Sequence, residues 1–443
     1  MPDSNVAELV AKYEEELRGY GASLPDEFNR SATALSAELS SDQLDQWAKT
    51  GISLAGQSLR AWEAATEYFR SSPSIHAKTD FEGVIAWAGM AEELAQKSSL
   101  VAASFLKFTP EVLTHISLDE LSEWSKQGDR LFRGNWKSGT LSAAYFEHTP
   151  DLLSVLPLHS VEKLVSIIDA LTERSYELAS TCLETSPKIF KELEQPDREP
   201  FLDFARAVTR ASWADTRLYF ERGPDLIASI NSQYRSGFLE LSAKVTSEVG
   251  RQAFPLFADA ADALGQLPDD THAEHINFAS DLALGSPTAA MEYLKIVPFA
   301  SSRLTPEQLR EWSNIGSDVL ISENNAEGAE AFFRLESTRA EAALQALSSR
   351  VELSSISTLL RMYAKALTGE QIAIYSVEEL VDQNIGWVQE SVATTEGSSI
   401  YLPPFVSTFE AQEANFQSYK VFATHQTGRI EFGSFAYKWN QDG

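Results

Sequence analysis

The chain has 443 residues, 43% of them hydrophobic and 10% aromatic, and a formal charge of −28 at pH 7. That much negative charge excludes a surface built to hold phosphates, of nucleic acid or of an anionic membrane, because both need clustered Lys and Arg. The single cysteine, Cys182, excludes an intramolecular disulfide, and no apolar run approaches the about 20 residues of a membrane span.

The start, Met1-Pro2-Asp3-Ser4, has neither the basic nor the apolar region of a signal peptide. The chain is expected to be cytoplasmic, without membrane insertion. Residues 1–40 read as N-terminal capping helices, with Val6, Leu9, Val10 and Tyr13 at helical spacing before Gly19 and Gly21.

From 41 to 350 a phrase recurs: an aromatic residue, Phe or Leu, two variable residues, a small residue, then proline. Tyr68 leads to Pro73, Phe105 to Pro110, Tyr145 to Pro150, Cys182 to Pro187, Tyr219 to Pro224 and Tyr293 to Pro298. The prolines lie 37, 40, 37, 37 and 74 residues apart, and Leu256-Phe257 with Ala261 fills the skipped cycle. Phe332-Phe333, ending at Ser337, is a worn eighth copy. A period of this length marks stacked supersecondary units, most of which bind rather than catalyse. Each unit also carries Leu-x-x-Trp-x-x-x-Gly or a trace of it: Leu44/Trp47/Gly51, Leu121/Trp124/Gly128 and Leu309/Trp312/Gly316. Leu and Trp at i and i+3 share a helix face, the one expected to be buried. Ser117-Leu118-Asp119-Glu120 reads as a capping box ahead of such a helix.

Thr109-Pro110, Thr149-Pro150, Ser72-Pro73 and Ser186-Pro187 read as N-cap and first residue of a new helix, since proline is costly in a helix interior. The expected fold is all-α: a right-handed α-solenoid of about eight 37-residue helical-hairpin repeats, HEAT-like. Tyr68, Phe105, Tyr145, Tyr219 and Tyr293 should occupy equivalent buried positions. Trp62, Trp136 and Trp213 either pack between repeats or line a binding face.

Residues 351–392 are expected to hold C-terminal capping helices and a linker, with Ser391–Ser399 as the polar connection. Residues 393–443 form an aromatic-rich segment outside the array, in which Glu413–Thr424 reads as a helix and Arg429–Trp439 as a strand or short helix.

Signatures of chemistry are sparse. There is no phosphate-cradling Gly-x-x-x-x-Gly-Lys-Ser/Thr, no Gly-x-Ser-x-Gly elbow and no His-Glu-x-x-His. His272 and His275, beside Asp269, Asp270 and Glu274, fall short of the three or four ligands of a zinc site. Cys182 sits in the aromatic slot of its repeat and reads as a small buried hydrophobe. No cofactor, metal or catalytic residue is expected.

The C-terminal segment runs Ile400-Tyr401-Leu402-Pro403-Pro404, then Glu413-x-Asn415-Phe416-x-x-Tyr419-Lys420, then His425-Gln426-x-Gly428-x-Ile430-Glu431-Phe432-Gly433. This resembles the segment ahead of the C-terminal domain in von Willebrand factor A-containing activation proteins, among them those of nitric oxide reductase (NorD) and of rubisco (CbbO). The 37-residue array is similar to that family's N-terminal half. The resemblance implies an adaptor that couples a MoxR-type AAA+ ATPase to a target enzyme, the ATPase activity belonging to the partner. The chain ends at Gly443, ahead of the family's metal-binding domain, and has no Asp-x-Ser-x-Ser. Two other readings stay open: a free-standing acidic scaffold with unrelated partners, and an enzyme using scattered carboxylates or His425 with Glu431.

Overall fold

The computed structural model describes residues 2–58, 60–379 and 393–434, with side chains from residue 6 onward. The fold is an all-α helical-repeat fold with a few short strands. It divides into two compact units, Met1–Ala283 and Leu284–Gly443.

In the first unit, α1 (Pro2–Tyr20) and α2 (Leu24–Leu35) precede six helical hairpins. These are α3 (Ser41–Ala55) with α4 (Trp62–Lys78), α5 (Phe81–Lys97) with α6 (Ser99–Val112), and α7 (Leu118–Arg130) with α8 (Trp136–Leu153). There follow α9 (Leu158–Thr172) with α10 (Tyr176–Glu192), α11 (Gln195–Ala211) with α12 (Trp213–Ala228), α13 (Ser232–Val249) with α14 (Ala253–Leu264), and then α15 (His272–Leu282). Each helix packs on its hairpin partner and on the helix two ahead, so odd-numbered helices make one layer and even-numbered helices the other. Local capping starts many of them. Ser40 with Gln43 and Ser117 with Glu120 close capping boxes at α3 and α7.

The core between the layers has two registers. In the even layer Tyr68, Phe105, Tyr145, Cys182, Tyr219 and Leu256 are all buried. In the odd layer the equivalent residues are Trp47, Trp87, Trp124, Leu164, Phe201, Phe238 and His275, spaced 40, 37, 40, 37, 37 and 37 residues apart. The registers are joined by hydrogen bonds. Tyr68 Oη donates to the Trp47 carbonyl at 3.4 Å, Tyr145 Oη to that of Trp124 at 3.4 Å, and Tyr219 Oη to that of Phe201 at 3.2 Å. A buried phenol needs such a partner. The glycine of the Trp motif makes room: a Cβ on Gly51 would overlap the Phe69 ring, and one on Gly128 the Phe146 ring.

The prolines do not start helices. Pro73, Pro110, Pro150, Pro187 and Pro224 lie inside α4, α6, α8, α10 and α12 near their C-terminal ends, and Pro298 lies inside a helix of the second unit. The preceding hydroxyl does not cap an N-terminus. It folds back on the aromatic carbonyl four residues earlier: Thr109 Oγ1 donates to Phe105 O at 2.6 Å, and Ser72, Thr149 and Ser186 make the same bond to Tyr68, Tyr145 and Cys182. Proline's fixed φ is helical, so a late-turn proline forfeits one hydrogen bond without ending the helix. Such back-bonding tends to bend helices.

One further register was missed in the sequence. Arg198, Arg235 and His272 are 37 residues apart. Each donates to the carbonyl five residues earlier: Arg198 Nε to Leu193 at 3.1 Å, Arg235 Nε to Ile230 at 2.8 Å, and His272 Nε2 to Leu267 at 3.3 Å. Each also reaches the previous repeat: Arg198 through the Val155 carbonyl, Arg235 through Glu194, and His272 through Nδ1, which accepts from Asn231 N.

In the second unit, α16 (Pro287–Ser301), α17 (Pro306–Ile321), α18 (Ala326–Phe333) and α19 (Thr338–Leu347) continue the helical pattern. Tyr293, Trp312, Phe332 and Phe333 are buried, and Gly316 leaves space for the Phe333 ring. Ser337, the end of the worn eighth phrase, does cap a helix: its side chain accepts from Ala340 N at the start of α19.

The rest of the unit is a small mixed element: β1 (Val351–Glu352), α20 (Leu353–Thr368), β2 (Ala373–Ser376), β3 (Thr394–Thr395), β4 (Ser399–Leu402), β5 (Phe405–Val406) and α21 (Gln412–Glu431). β4 is central, parallel to β2 and antiparallel to β3, while β1 pairs antiparallel with β5. Leu360 and Ala364 of α20, Ile374, Ile400 and Leu402 of the sheet, and Tyr419 and Ala423 of α21 share one core. The boundary expected at 392/393 therefore cuts through a sheet. Thr394, Thr395 and Ser399 are strand rather than linker, because Ile400 and Leu402 alternate inward and draw their flanks into pairing. The helix expected over 413–424 extends to Glu431, which takes in Arg429; residues 435–439 of the expected strand or short helix, Trp439 included, and 380–392 of the expected capping and linker region lie outside the described residues.

Candidate interaction surface

The C-terminal motif residues divide by role. Asn415 is fully buried on α21, where Oδ1 accepts from Phe409 N at 2.8 Å and Nδ2 donates to the carbonyls of Phe409 at 2.7 Å and Ser349 at 2.6 Å. Tyr419 Oη donates to the Pro403 carbonyl at 2.8 Å, and the Pro404 carbonyl receives Leu353 N at 2.9 Å. Burial holds the Tyr419 phenol above its usual range. Gln426 Nε2 donates to the Ala393 carbonyl at 2.9 Å. Tyr401 stacks obliquely on Tyr375 across the parallel strands, the centroids 5.7 Å apart. Gly428 lies within α21, and Gly433 takes φ +63 just beyond it. His425 and Glu431 are exposed. The motif thus encodes mostly the fastening of α21 to β4 and to Ser349.

Three other groups able to do chemistry are buried in the first unit. Burial pushes the Cys182 thiol up to about 12, which disfavours the reactive thiolate at neutral pH. His275, in the core register, is held below the usual imidazole range by burial. Asp197, buried in the first turn of α11, is raised by burial, with Arg235 Nη1 3.7 Å away. Among the described residues no group of three His, Cys, Asp or Glu side chains is placed to hold a metal.

The large apolar side chains that the first unit leaves exposed include two tryptophans. The hairpin turns return the chain to the even layer at Trp62, at Ser99 beside Leu100, at Trp136, at Tyr176 and at Trp213, spaced 37, 37, 40 and 37 residues apart. Trp62 and Tyr176 are half-buried, Trp62 lying against Gly21. Trp136 is 77% exposed and Trp213 47% exposed, and Leu100 is exposed with them. Neighbouring repeats meet along this edge. Asn135 Nδ2 donates to Tyr176 Oη at 3.4 Å, and a cleft of about 420 Å³ between α10 and α12 is lined by Ser175, Leu178, Thr181, Trp213 and Arg217. Several charges nearby are in ion pairs: Lys97 with Asp129, Arg217 with Glu221, and Arg130 and Arg133 sharing Asp169, while Glu177 also lines the cleft. Lys137 stands over the Trp136 ring. The edge is a rim with exposed apolar side chains, most of them aromatic, among charged ones. Of the three tryptophans with two open readings, Trp136 and Trp213 are exposed and Trp62 is packed.

Comparison with family models found no match, and comparisons with curated proteins and with solved structures found none either. No helix among the described residues is long and apolar enough to cross a membrane.

Proposed function

We propose that the chain is a non-catalytic protein-interaction scaffold that offers the rim of Leu100, Trp136, Tyr176 and Trp213 to a polypeptide partner. The exposure of Trp136 and Trp213 at equivalent positions carries this reading. Exposed aromatic clusters mark binding surfaces, and tryptophan is enriched among the residues that dominate interface energy. Repeat arrays supply such surfaces by adding one equivalent position per unit. The partner class favoured is a MoxR-type AAA+ ATPase acting on a target enzyme, by resemblance of the C-terminal motif. The −28 charge favours partners with basic faces, and the expected setting is the cytoplasm, without nucleic acid.

Pull-down of the cognate ATPase at low salt tests the proposal. Capture by the wild-type chain, lost in a Trp136→Ala/Trp213→Ala variant of unchanged helix content, supports it. Capture unaffected by both substitutions removes the rim from the account. No capture by the wild type removes the ATPase and leaves a scaffold with unrelated partners.

A further inference from the structure

The second unit contains a cleft of about 280 Å³ where α16, α19, β1 and the start of α21 meet, and two arginines line it. Arg303, at the end of α16, lies with Cζ 3.7 Å above the Phe299 ring; Arg350, ahead of β1, lies with Cζ 3.5 Å above the Phe405 ring. Stacking on an aromatic face fixes the plane of a guanidinium and leaves its donor edge free. Ser348 ties the two together through the backbone, its Oγ donating to the Arg303 carbonyl at 3.1 Å and accepting from Arg350 N at 3.2 Å. Asn415 holds the adjoining Ser349 carbonyl. The cleft is therefore braced from both the repeat side and the α21 side of the unit.

The charges in it are incompletely answered. Arg350 Nε is 2.8 Å from Glu352 Oε1, yet the atom is buried and the contact lacks the alignment of a hydrogen bond. Arg303 has no carboxylate partner among the described residues and reaches only its own helix, at 3.4–3.5 Å. Burial, and then the neighbouring Arg350, hold its guanidinium below the usual range, with Glu352 opposing. Arg303, without a carboxylate of its own, offers the cleft donors that suit a singly charged anion. Glu341 and Glu352 also line it, and would repel a phosphate dianion while leaving an acceptor for an N–H donor. Leu344 and Val351 supply an apolar wall. The volume falls just under the about 300–1,000 Å³ of pockets that bury drug-sized ligands, so the occupant is residue-sized.

We propose that this cleft binds a carboxylate adjoining an N–H group and an apolar side chain, as carried by a free hydrophobic amino acid or by the C-terminal residue of a polypeptide. The carboxylate takes the Arg303 and Arg350 donors, and the apolar group rests on Leu344 and Val351.

Calorimetry on the full chain tests this with leucine, N-acetyl-leucine and a hexapeptide ending in leucine, each beside its C-terminal amide, and with inorganic phosphate. Saturable binding of the carboxylates is expected, weakened about tenfold or more in the amides and in Arg303→Ala. Arg303→Lys keeps the charge without the fork and should fall between. Arg303 is half-exposed, and an unchanged unfolding midpoint verifies that these variants fold. The peptide binding best assigns the site to a polypeptide terminus; free leucine binding as well as the peptide assigns it to a small molecule. Any of four results overturns the proposal: no saturable heat from any carboxylate up to about 10 mM, amides binding equally, Arg303→Ala binding like wild type, or phosphate binding more tightly than the carboxylates.

Discussion

Gly128 shows how one residue sets the packing of a repeat. Trp124 and Phe146 meet edge to face with centroids 4.8 Å apart, and the glycine one turn after the tryptophan is what admits the phenyl ring. Trp47, Gly51 and Phe69 repeat the arrangement at 5.0 Å. In the repeat of Trp87 the same two slots hold Ala91 and Leu106: volume added on one helix is removed from the other. Gly128→Ala should therefore cost about 1–3 kcal/mol by overpacking, measured by urea unfolding. Adding Phe146→Leu recreates the Ala91/Leu106 combination and should recover part of the loss; strictly additive losses would refute the exchange. Cys182 gives a second test at this scale. Its thiol moves from 9.0 to about 12 on burial, so the native chain should resist iodoacetamide at pH 8 and react once unfolded. The folded state keeps the proton that the unfolded thiol loses near 9, so this contribution to stability is full below that pH and declines as pH rises toward 12. Rapid alkylation of the native protein would contradict the burial.

Among elements, helix α15 differs from its counterparts. The core position held by Trp, Leu or Phe in the other hairpins is held here by His275. Burial lowers its affinity for a proton, so the unfolded chain binds one more readily. The stability this gives is present above the unfolded value near 6.5 and is lost as pH falls through the lower folded value. His275→Phe should flatten the decline in unfolding free energy between neutral and mildly acidic pH; an unchanged acid limb would exclude His275 as its source. Helix α21 supplies another test. Asn415→Leu strands the Ser349 carbonyl and the Phe409 peptide, and should cost about 1–3 kcal/mol in the second unit. At this scale the sequence was legible where one signal had one meaning. The aromatic register and the capping box at Ser117 needed only local chemistry. The Ser-Pro and Thr-Pro pairs had two meanings, N-cap with first residue or back-bonded late turn, and the choice rests on tertiary packing of the aromatic residue before them. The strands at Thr394 and Ser399 were illegible for a related reason. They are two and four residues long, and one partner, Ala373–Ser376, lies beyond the polar segment that suggested a linker.

For the whole molecule, the features relevant to binding lie at opposite ends of legibility. The −28 charge is read directly from composition, whereas the rim is legible only in part: Trp136 and Trp213 lack the Leu-x-x-Trp-x-x-x-Gly frame of the buried Trp47 and Trp124, but that left packing between repeats and a binding face both open. Their place, first in the second helix of a hairpin rather than on the face turned to the other layer, decides between the two. The two features should act on different steps of association. Net charge acts at a distance, raising the encounter rate with a basic partner without adding contacts. Raising ionic strength from about 0.01 to 0.15 M shortens the screening length from about 30 to 8 Å. The association rate with the proposed ATPase partner should fall over that range while the dissociation rate holds. The rim acts only on contact. Trp136→Ala/Trp213→Ala should leave the salt dependence of association intact and speed dissociation about tenfold or more. A biosensor titration of both proteins across that range separates the effects. Were salt to change chiefly dissociation, and the paired substitution chiefly association, acidic steering and aromatic contact would both be misassigned.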